Sequence, residues 1–344
     1  MNKIVKRILA VSLSAILAGG MLAGCSAGSN EKAASKGDGK TYNIGLCQLV
    51  QHDALDKAAQ GFQDALKELG DEKGITFNID VQNASGEAVN CTTIANQFVS
   101  NNVDLVAAVA TPALQACATA TKSSNIPVVA TAITNFGTAL DINMGPTDAT
   151  GINVTGTHDL APLEKQAEQV TTLFPDAKKV GILYCSAEAN SKFQSDGMEK
   201  LLKEAGLEVT VFTFADSNDI QAVAKKAAEA SDVLYIPTDN TVASNGSIVD
   251  NACQDANTPI ISGETSACLA YNGVATYSID FYEIGKEAGK MAYEILVEGA
   301  DVSTMNIREP QTLTAEYIPA MAEKYGVTSI IEADGSYKVL EAEE

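Results

Sequence analysis

The chain has 344 residues, of which 46% are hydrophobic and 6% aromatic, and its formal net charge is −21 at pH 7. Beyond one apolar segment at the N-terminus the composition is that of a globular protein, and the length suggests two domains. So acidic a chain would be repelled by phosphate backbones, which argues against nucleic-acid binding; an acidic, well-solvated surface explains the charge.

The first 24 residues have the pattern of an export signal. Three cationic residues within the first seven positions precede an apolar run from residue 8 to residue 22, and small residues follow. The run is too short to span a bilayer as a mature helix. Cys25 comes directly after Leu22, Ala23 and Gly24, which is the lipid-acceptor position of bacterial lipoproteins. We therefore predict cleavage before Cys25 and a lipid anchor in the cell membrane; the alternative is an ordinary secretory peptide with an incidental cysteine.

Residues 25–40 are predicted to form a flexible tether. After Cys25 they are rich in Ser, Gly, Ala, Lys and Asn and contain no aromatic residue. Such a segment cannot bury enough apolar surface to fold. The folded part should therefore begin near Thr41.

The remaining basic and sulfur-containing residues limit the kinds of site that are possible. Arg308 is the only arginine left after the signal, so a site built on bidentate arginine recognition is nearly excluded. The remaining cysteines, at positions 47, 91, 117, 185, 253 and 268, lie in strand-like or helix-like stretches, which favours free thiols. There is no CxxC pair and only two histidines, so neither a metal site nor a cofactor is predicted.

Short β-branched runs alternate with helical stretches along the rest of the chain. The predicted strands are 42–49, 77–81, 103–110, 126–132, 180–184, 209–214, 233–236, 259–262 and 274–278. Helices between strands indicate parallel sheets covered on both faces. The first helix has an apolar stripe from Leu55 to Leu69, with Gly70 as its predicted stop, and a similar stripe precedes Gly299.

The strands fall into two sets separated by a segment rich in Gly and Thr, residues 145–160. They predict two doubly wound α/β lobes. A helix and a polar segment, 305–312, follow the last strand of the second set and suggest that the chain returns to the first lobe and crosses back. The predicted lobes are 41–154 with 280–312, and 155–279 with 313–344, joined by a hinge with three crossovers.

Polar loops follow several strands, where open α/β sheets bind ligands. They contain Gln48, Thr111 with Pro112, Thr134, Ser186 with Asn190, Asp239 with Asn240, and Glu264. Helix N-termini could hold a carboxylate, while Asp239 or Glu264 took an ammonium group. The alternative for each loop is helix capping without any ligand.

Five of these segments resemble a family of substrate-binding lipoproteins of bacterial ABC importers, whose better understood members take up aromatic amino acids. They are QLVQHDALD (48–56), NVTGTHDLAPLEKQ (153–166), GILYCSAEANS (181–191), YIPTDNTVAS (235–244) and IDFYEIG (279–285). The resemblance implies the type I periplasmic-binding fold. It also implies a ligand cleft formed by Gln48, Thr111, Thr134, Ser186, Asn190, Asp239, Asn240 and Glu264, with Asp159 and Asp280 beside the hinge. Cys185, Asn135, Phe136 and Asp53 depart from residues common in the family.

The predicted function is therefore capture of a small solute, an amino acid in the first instance, by a monomeric protein that delivers it to an ABC permease and its ATPase. Nucleosides and sugars are alternative ligands, and a sensor subunit for a membrane receptor shares every feature. A catalytic pair of Cys185 with His158, or with Glu188 and Glu264, is the enzyme alternative, but no catalytic motif supports it. A DNA-binding regulator would need a basic helix-turn-helix ahead of the core, where this chain has its signal and tether.

Overall fold

The structure, a computed structural model, describes residues 39–144 and 148–341. The predicted signal, Cys25 and most of the predicted tether lie outside these residues. The first strand begins at Thr41.

The first lobe is built on a parallel sheet whose described strands have the order β2-β1-β3-β4-β5. Its strands are β1 (Thr41–Gln48), β2 (Thr76–Asn83), β3 (Leu105–Val109), β4 (Val128–Ile133) and β5 (Val154–His158). The helices that follow them are α1 (Asp53–Lys73), α2 (Ala88–Ser100), α3 (Thr111–Thr121) and α4 (Phe136–Leu140). β3 and β4 are buried along their whole length, as expected of strands covered on both faces.

The second lobe has a larger sheet with the order β12-β11-β10-β9-β8-β6-β7 among the described residues. Its strands are β6 (Lys179–Cys185), β7 (Glu208–Phe214), β8 (Val233–Ile236), β9 (Ile260–Ser262), β10 (Ala275–Ile279), β11 (Leu313–Tyr317) and β12 (Lys338–Val339). Its helices are α5 (Leu163–Leu173), α6 (Ala189–Glu204), α7 (Ile220–Ala230), α8 (Asn240–Ser244), α9 (Gly246–Ala256), α10 (Thr265–Ala270), α12 (Pro319–Lys324) and α13 (Thr328–Asp334).

Each face of the second sheet carries its own apolar core. Along β6, Ile182 and Tyr184 belong to one cluster and Leu183 and Cys185 to the other, because successive side chains of a strand point to opposite faces. The first lobe has a single large cluster that includes residues of β1, β3, β4 and α1. The prediction of two α/β lobes with largely parallel sheets is confirmed.

α11 (Phe281–Tyr293) follows β10 of the second lobe but packs on α1 of the first. Two glycines permit the close approach. A Cβ on Gly61 would collide with the carbonyl of Tyr282, and one on Gly285 with the carbonyl of Ala58. The helix continues as a π-helical turn, Glu294–Glu298, and ends at Gly299 with φ 75°.

The chain passes between the lobes three times, after His158, after Ile279 and before Leu313, as the type I fold requires. Arg308 holds the segment before the third crossing to the first lobe. Its backbone N–H donates to Gly156 O (2.9 Å), and its guanidinium contacts Glu287 and Glu294, both at 2.5 Å.

Three details differ from the sequence prediction. The boundary predicted after residue 154 falls inside β5, which pairs with β4, so the chain leaves the first sheet only after His158. The sequence did not predict this strand, because Thr and Gly residues in the segment are typical of loops. β11 pairs antiparallel with β10, because the chain re-enters the second lobe from the first. The first helix continues through Gly70 to Lys73 and ends at Gly74, which has φ 69°.

Among residues 39–144 and 148–341, none of the helices combines the length and the apolar character that crossing a membrane requires.

Candidate functional site

Loops at the carboxyl ends of both sheets meet, and within the described part of the chain two side-chain hydrogen bonds join the lobes. His52 Nε2 lies 3.1 Å from Asn240 Oδ1, and Gln194 Nε2 donates to Thr134 Oγ1 over 3.1 Å. His52 and Thr134 belong to the first lobe, Asn240 and Gln194 to the second. The cleft between the lobes is therefore closed in this structure.

A cavity of about 330 Å³ lies between the lobes beside these contacts. The first lobe lines it with Leu49, Val50, Ser85, Gly86, Glu87, Ala88, Pro112 and Gln115, and the second with Cys185, Ala187, Glu188, Ala215, Asp216, Ser217, Asn240, Thr241, Ser244 and Asn245. The lining combines aliphatic and polar groups without an aromatic ring. Its size is that of a small-molecule site.

Among the described residues, the buried acidic side chains are Asp159, Glu188, Asp239 and Glu264. Burial raises the pKa of Asp159 to about 6 and that of Glu264 to about 7. Burial, with a contribution from the charge of Glu188, raises the pKa of Asp239 to about 8. Desolvated carboxyl groups at the edge of a cleft are candidates for a functional role, although structural networks shift pKa values as well.

Two of these carboxyls, Asp239 and Glu264, serve as helix caps. Asp239 accepts from the amides of Cys185 (2.7 Å) and Val242 (2.8 Å), and Glu264 accepts from the amides of Ser266 and Ala267, both at 2.6 Å. Each therefore uses both oxygens inside the second lobe. These contacts are the ones that the capping alternative predicts.

Asp159 is placed differently, because it follows β5 at the first crossing between the lobes. It accepts from Thr134 Oγ1 at 2.8 Å, and Thr134 in turn accepts from Gln194 of the second lobe. Asp280, the other predicted hinge residue, caps α11 through Glu283 N (3.0 Å) and is exposed. Of the two, Asp159 is the carboxyl group in contact with the closed cleft.

Four of the longer helices, α1, α2, α3 and α6, begin at the cleft without a side-chain cap. The residues before them are His52, Glu87, Ala110 and Glu188, and none of these caps its helix through its side chain. Ala110 has φ 83°, a costly conformation for a residue with a Cβ. It presents the first turn of α3, beginning with Thr111, to the cleft. Uncapped helix N-termini leave backbone N–H groups that attract anions.

Glu188 organises the second lobe's side of the cleft. Its carboxylate accepts five hydrogen bonds, from the amide and Nδ2 of Asn240, the amide and Oγ1 of Thr241, and Nδ2 of Asn190. Asn190 Nδ2 also donates to Thr238 O at 3.0 Å. The orientation of both asparagine amides follows, since a carboxylate can only accept from their NH₂ groups.

Three buried polar atoms without a hydrogen-bond partner belong to residues that adjoin this cleft, because His52 contacts Asn240 across it, Thr111 precedes Pro112 of the cavity lining and Asn190 donates to Glu188 of that lining. Among the described residues they are His52 Nδ1, Thr111 Oγ1 and Asn190 Oδ1, with Gln169 Oε1 and Thr328 Oγ1 elsewhere in the second lobe. An unsatisfied buried polar group costs about 1 to 3 kcal/mol. Three of them at one interlobe surface indicate groups that a ligand completes.

The predicted site residues are thus sorted by their contacts. Thr111, Thr134, Asn190 and Asn240 lie in the closed cleft. Gln48 donates to Val50 O (2.9 Å) and Asp56 Oδ1 (2.6 Å) within the first lobe, and Ser186 is exposed and donates to Phe214 O (3.0 Å).

Sequence reasoning missed His52 and Gln194 as cleft residues and the central place of Glu188. The loop after the first strand contains His52, which was the available signal for it. Glu188 and Gln194 belong to a loop and a helix whose other residues were singled out.

The candidate catalytic groups are not poised for chemistry. Cys185 is buried, its thiol donates to Ala215 O at 3.4 Å, and burial raises its pKa. His158 packs its ring edge-on against Phe136 and lies 3.8 Å from Glu309. All six cysteines of the described residues are buried and free, as predicted. No group of three or more His, Cys, Asp or Glu in the described ranges is arranged to hold a metal ion.

Comparison with known proteins identifies the family. The sequence model of ABC transporter substrate binding proteins matches residues 43–330. A tyrosine-binding protein of Clostridioides difficile is 36% identical over 309 residues, which are 88% of this chain and 87% of that protein. This chain belongs to the ABC transporter substrate-binding family. Such proteins work outside the cytoplasm.

Two solved structures of similar proteins have the same fold. The ABC domain from Streptococcus pneumoniae in complex with L-Trp is 32% identical, covers 87% of this chain and 100% of its own, and has a TM-score of 0.79. A ligand-free, open structure of a substrate-binding protein from Clostridium difficile is 30% identical, covers 88% of this chain and 100% of its own, and has a TM-score of 0.65. At nearly equal identity the structure with L-Trp bound has the higher TM-score.

Proposed function

We propose that the protein is the lipid-anchored receptor of an ABC importer and that it captures an aromatic amino acid between its lobes. The observation that carries this proposal is the set of buried, unpartnered polar atoms on both sides of the cleft, His52 Nδ1 and Thr111 Oγ1 on one lobe and Asn190 Oδ1 on the other. Neither lobe alone satisfies a ligand that needs all of them. Closure then follows binding, and reversing a 99:1 open population takes about 5.5 kcal/mol of preference for the closed form.

The two charged ends of an amino acid have distinct partners. The uncapped N-terminus of α3, with the hydroxyl of Thr111, offers donors to the carboxylate. Asp159 offers a buried carboxylate to the ammonium group; unlike Asp239 and Glu264, it does not bind two backbone amides with its two oxygens. An ammonium group would restore the ionised form that burial disfavours.

The relatives support an aromatic side chain. One is named for tyrosine and the other is complexed with L-Trp. A sugar receptor usually stacks its ligand on aromatic faces, whereas this chain has no tryptophan and only 6% aromatic residues. A catalytic role has no support, because the thiol of Cys185 is buried and its pKa is raised.

Binding can be measured directly. The chain contains no tryptophan, so the fluorescence of added L-Trp reports binding without background from protein indoles. Calorimetry with tyrosine, tryptophan, phenylalanine, leucine, myo-inositol and a nucleoside should show saturable binding of aromatic amino acids. Binding of the inositol or the nucleoside alone would contradict the amino-acid assignment.

The anchor is tested separately. We expect the native protein to partition into detergent with the membrane and Cys25→Ser to appear in the soluble extracytoplasmic fraction. A Cys25→Ser protein that stayed with the membrane would contradict lipidation at this residue.

We expect the ligand-bound protein to be a monomer that docks on a permease coupled to its ATPase.

A further inference from the structure

The hydrogen-bond network of the cleft fixes which atoms donate and which accept. Glu188 can only accept from Asn240 Nδ2, at 2.6 Å, so Asn240 Oδ1 is the atom that faces His52 Nε2 at 3.1 Å. Oδ1 is an acceptor, and His52 Nε2 must therefore carry a hydrogen. Burial lowers the pKa of His52, against smaller opposing effects from Asn240, Glu188, Asp56 and Asp53, which favours the neutral ring.

In a neutral ring protonated at Nε2, Nδ1 is a hydrogen-bond acceptor. His52 Nδ1 is buried and unpartnered. Asn190 Oδ1 is a second acceptor fixed in the same way, because Nδ2 of that side chain donates to Glu188 and Thr238. The cleft therefore lacks donors for two buried acceptors, one on each lobe.

From this network we infer that His52 is a specificity-determining residue, whose Nδ1 accepts a hydrogen bond from a donor on the ligand's aromatic ring. The inference rests on the proposed function. The protein should prefer aromatic amino acids whose ring carries a hydrogen-bond donor, a phenol O–H or an indole N–H, to phenylalanine, which has none. The names of the two relatives mention tyrosine and L-Trp, and both of these amino acids carry such a donor.

The positions of the strands assign the ring donor, and not the ammonium group, to His52. His52 follows β1 and Asp159 follows β5, and the order β1-β3-β4-β5 separates the two strands by three spacings, on the order of 14 Å. A hydrogen bond of about 3 Å at each end leaves room for an extended aromatic amino acid between them. The ammonium group is placed at the carboxylate of Asp159, and the ring reaches toward His52.

Glu188 acts as a positioning residue in this arrangement. It touches neither the proposed ring donor nor the ammonium group, but it sets the direction of the hydrogen bonds from Asn240 to His52. With glutamine at position 188, the added NH₂ group could donate to Asn240 Oδ1, and the amide of Asn240 could turn over. His52 could then adopt the other tautomer and lose its acceptor at Nδ1.

The test compares tyrosine with phenylalanine, which differ only in the hydroxyl group. We expect the unmodified protein to bind tyrosine at least about tenfold more tightly than phenylalanine, since phenylalanine leaves a buried acceptor unpaired. His52→Leu should remove this preference, and it should also lower the affinity for phenylalanine by about five- to thirtyfold, because the hydrogen bond to Asn240 between the lobes is lost. His52→Gln, which offers an amide oxygen, should restore part of it.

A spectroscopic measurement checks the protonation state without any change in the cleft. The chain has two histidines, so ¹⁵N spectra of labelled rings contain two sets of signals, and His158→Gln assigns them. We expect His52 to be neutral and protonated at Nε2 at pH 7, and Glu188→Gln to shift the tautomer balance.

The outcomes separate the two proposals. Equal, saturable binding of tyrosine and phenylalanine, or a His52 ring protonated at Nδ1, overturns the role of His52 and leaves amino-acid capture standing. Failure of tyrosine, tryptophan and phenylalanine alike to bind overturns both. A preference for tyrosine that disappears in His52→Leu and returns in part in His52→Gln supports the inference.

Discussion

Gln194 Nε2 lies 3.1 Å from Thr134 Oγ1, so a side chain of α6 in the second lobe donates to the residue that follows β4 in the first. Gln194 Oε1 accepts from Thr238 N at 3.2 Å, and Thr134 donates to Asp159 at 2.8 Å. The bond joins two loop systems that are each ordered within their own lobe. It can form only when the lobes meet, which makes it a contribution to the closed state.

Removal of this contact should weaken ligand binding. We expect Gln194→Leu to lower affinity by about five- to thirtyfold, roughly 1 to 2 kcal/mol, because the closed form loses a buried hydrogen bond while the open form does not. Titration calorimetry measures the affinity. Gln169→Leu is the matched control, since Gln169 is also buried but bonds Thr276 O (2.9 Å) within the second lobe. Equal losses of affinity in the two variants would contradict an interlobe role for Gln194.

Thr111 allows a test in which stability and affinity change in opposite directions. Its buried hydroxyl has no partner, so Thr111→Val should leave the free energy of unfolding unchanged or raise it by about 1 kcal/mol. Affinity should fall by about 1 kcal/mol, because the ligand loses its donor. Denaturant melts and calorimetry give the two quantities. Thr328→Val is the control, since Thr328 Oγ1 is also unpartnered but belongs to α13. An equal loss of affinity in Thr328→Val would contradict a ligand contact at Thr111.

The sequence predicted the lobes well, because buried parallel strands have an unambiguous apolar pattern. It did not predict β5, whose Thr and Gly residues resemble a loop but pair with β4, nor the end of α1 at Gly74. In the site, the same residue types serve as caps and as ligand contacts. The sequence offered Asp239 or Glu264 as the partner of an ammonium group and Asp159 as a hinge residue, and only the hydrogen bonds in the structure distinguish their environments. The importance of Glu188 arises from five donors that converge from residues 190, 240 and 241, which no local pattern indicates.

Asp239 should behave as a structural residue. Asp239→Asn keeps an oxygen for Val242 N but brings an NH₂ group toward Cys185 N, so we expect the free energy of unfolding to fall by about 1 to 3 kcal/mol. The affinity of the folded protein should stay within about threefold. Asp280→Asn, at an exposed cap with one backbone bond, should cost less than about 1 kcal/mol. A large loss of affinity in Asp239→Asn without a loss of stability would contradict the structural role and indicate that Asp239 contacts the ligand.

The ligand-free protein should be more stable at mildly acidic pH than at pH 8. The folded-state pKa values of Asp159, Glu264 and Asp239 are raised to about 6, 7 and 8 from ordinary values of 3.8, 4.5 and 3.8. A carboxyl group with a raised pKa binds its proton more tightly in the folded state. Its contribution to stability is complete below its unfolded pKa and is lost as the pH rises through its folded pKa. Thermal melts from pH 4 to pH 8 measure this loss.

Ligand binding should also be linked to proton release at Asp159. The rise in the pKa of Asp159 from 3.8 to about 6 corresponds to about 3 kcal/mol. An ammonium group beside the carboxylate should offset much of this free energy by favouring the ionised form. Amino-acid affinity should therefore rise as the pH increases through about 6, and calorimetry in buffers of different ionisation enthalpy should detect protons released on binding. Asp159→Asn should lower the affinity, abolish this proton release and flatten the stability profile near pH 6, whereas Asp280→Asn should change none of them. Undiminished proton release by Asp159→Asn would mean that another residue releases the proton and would contradict the assignment of the ammonium group to Asp159.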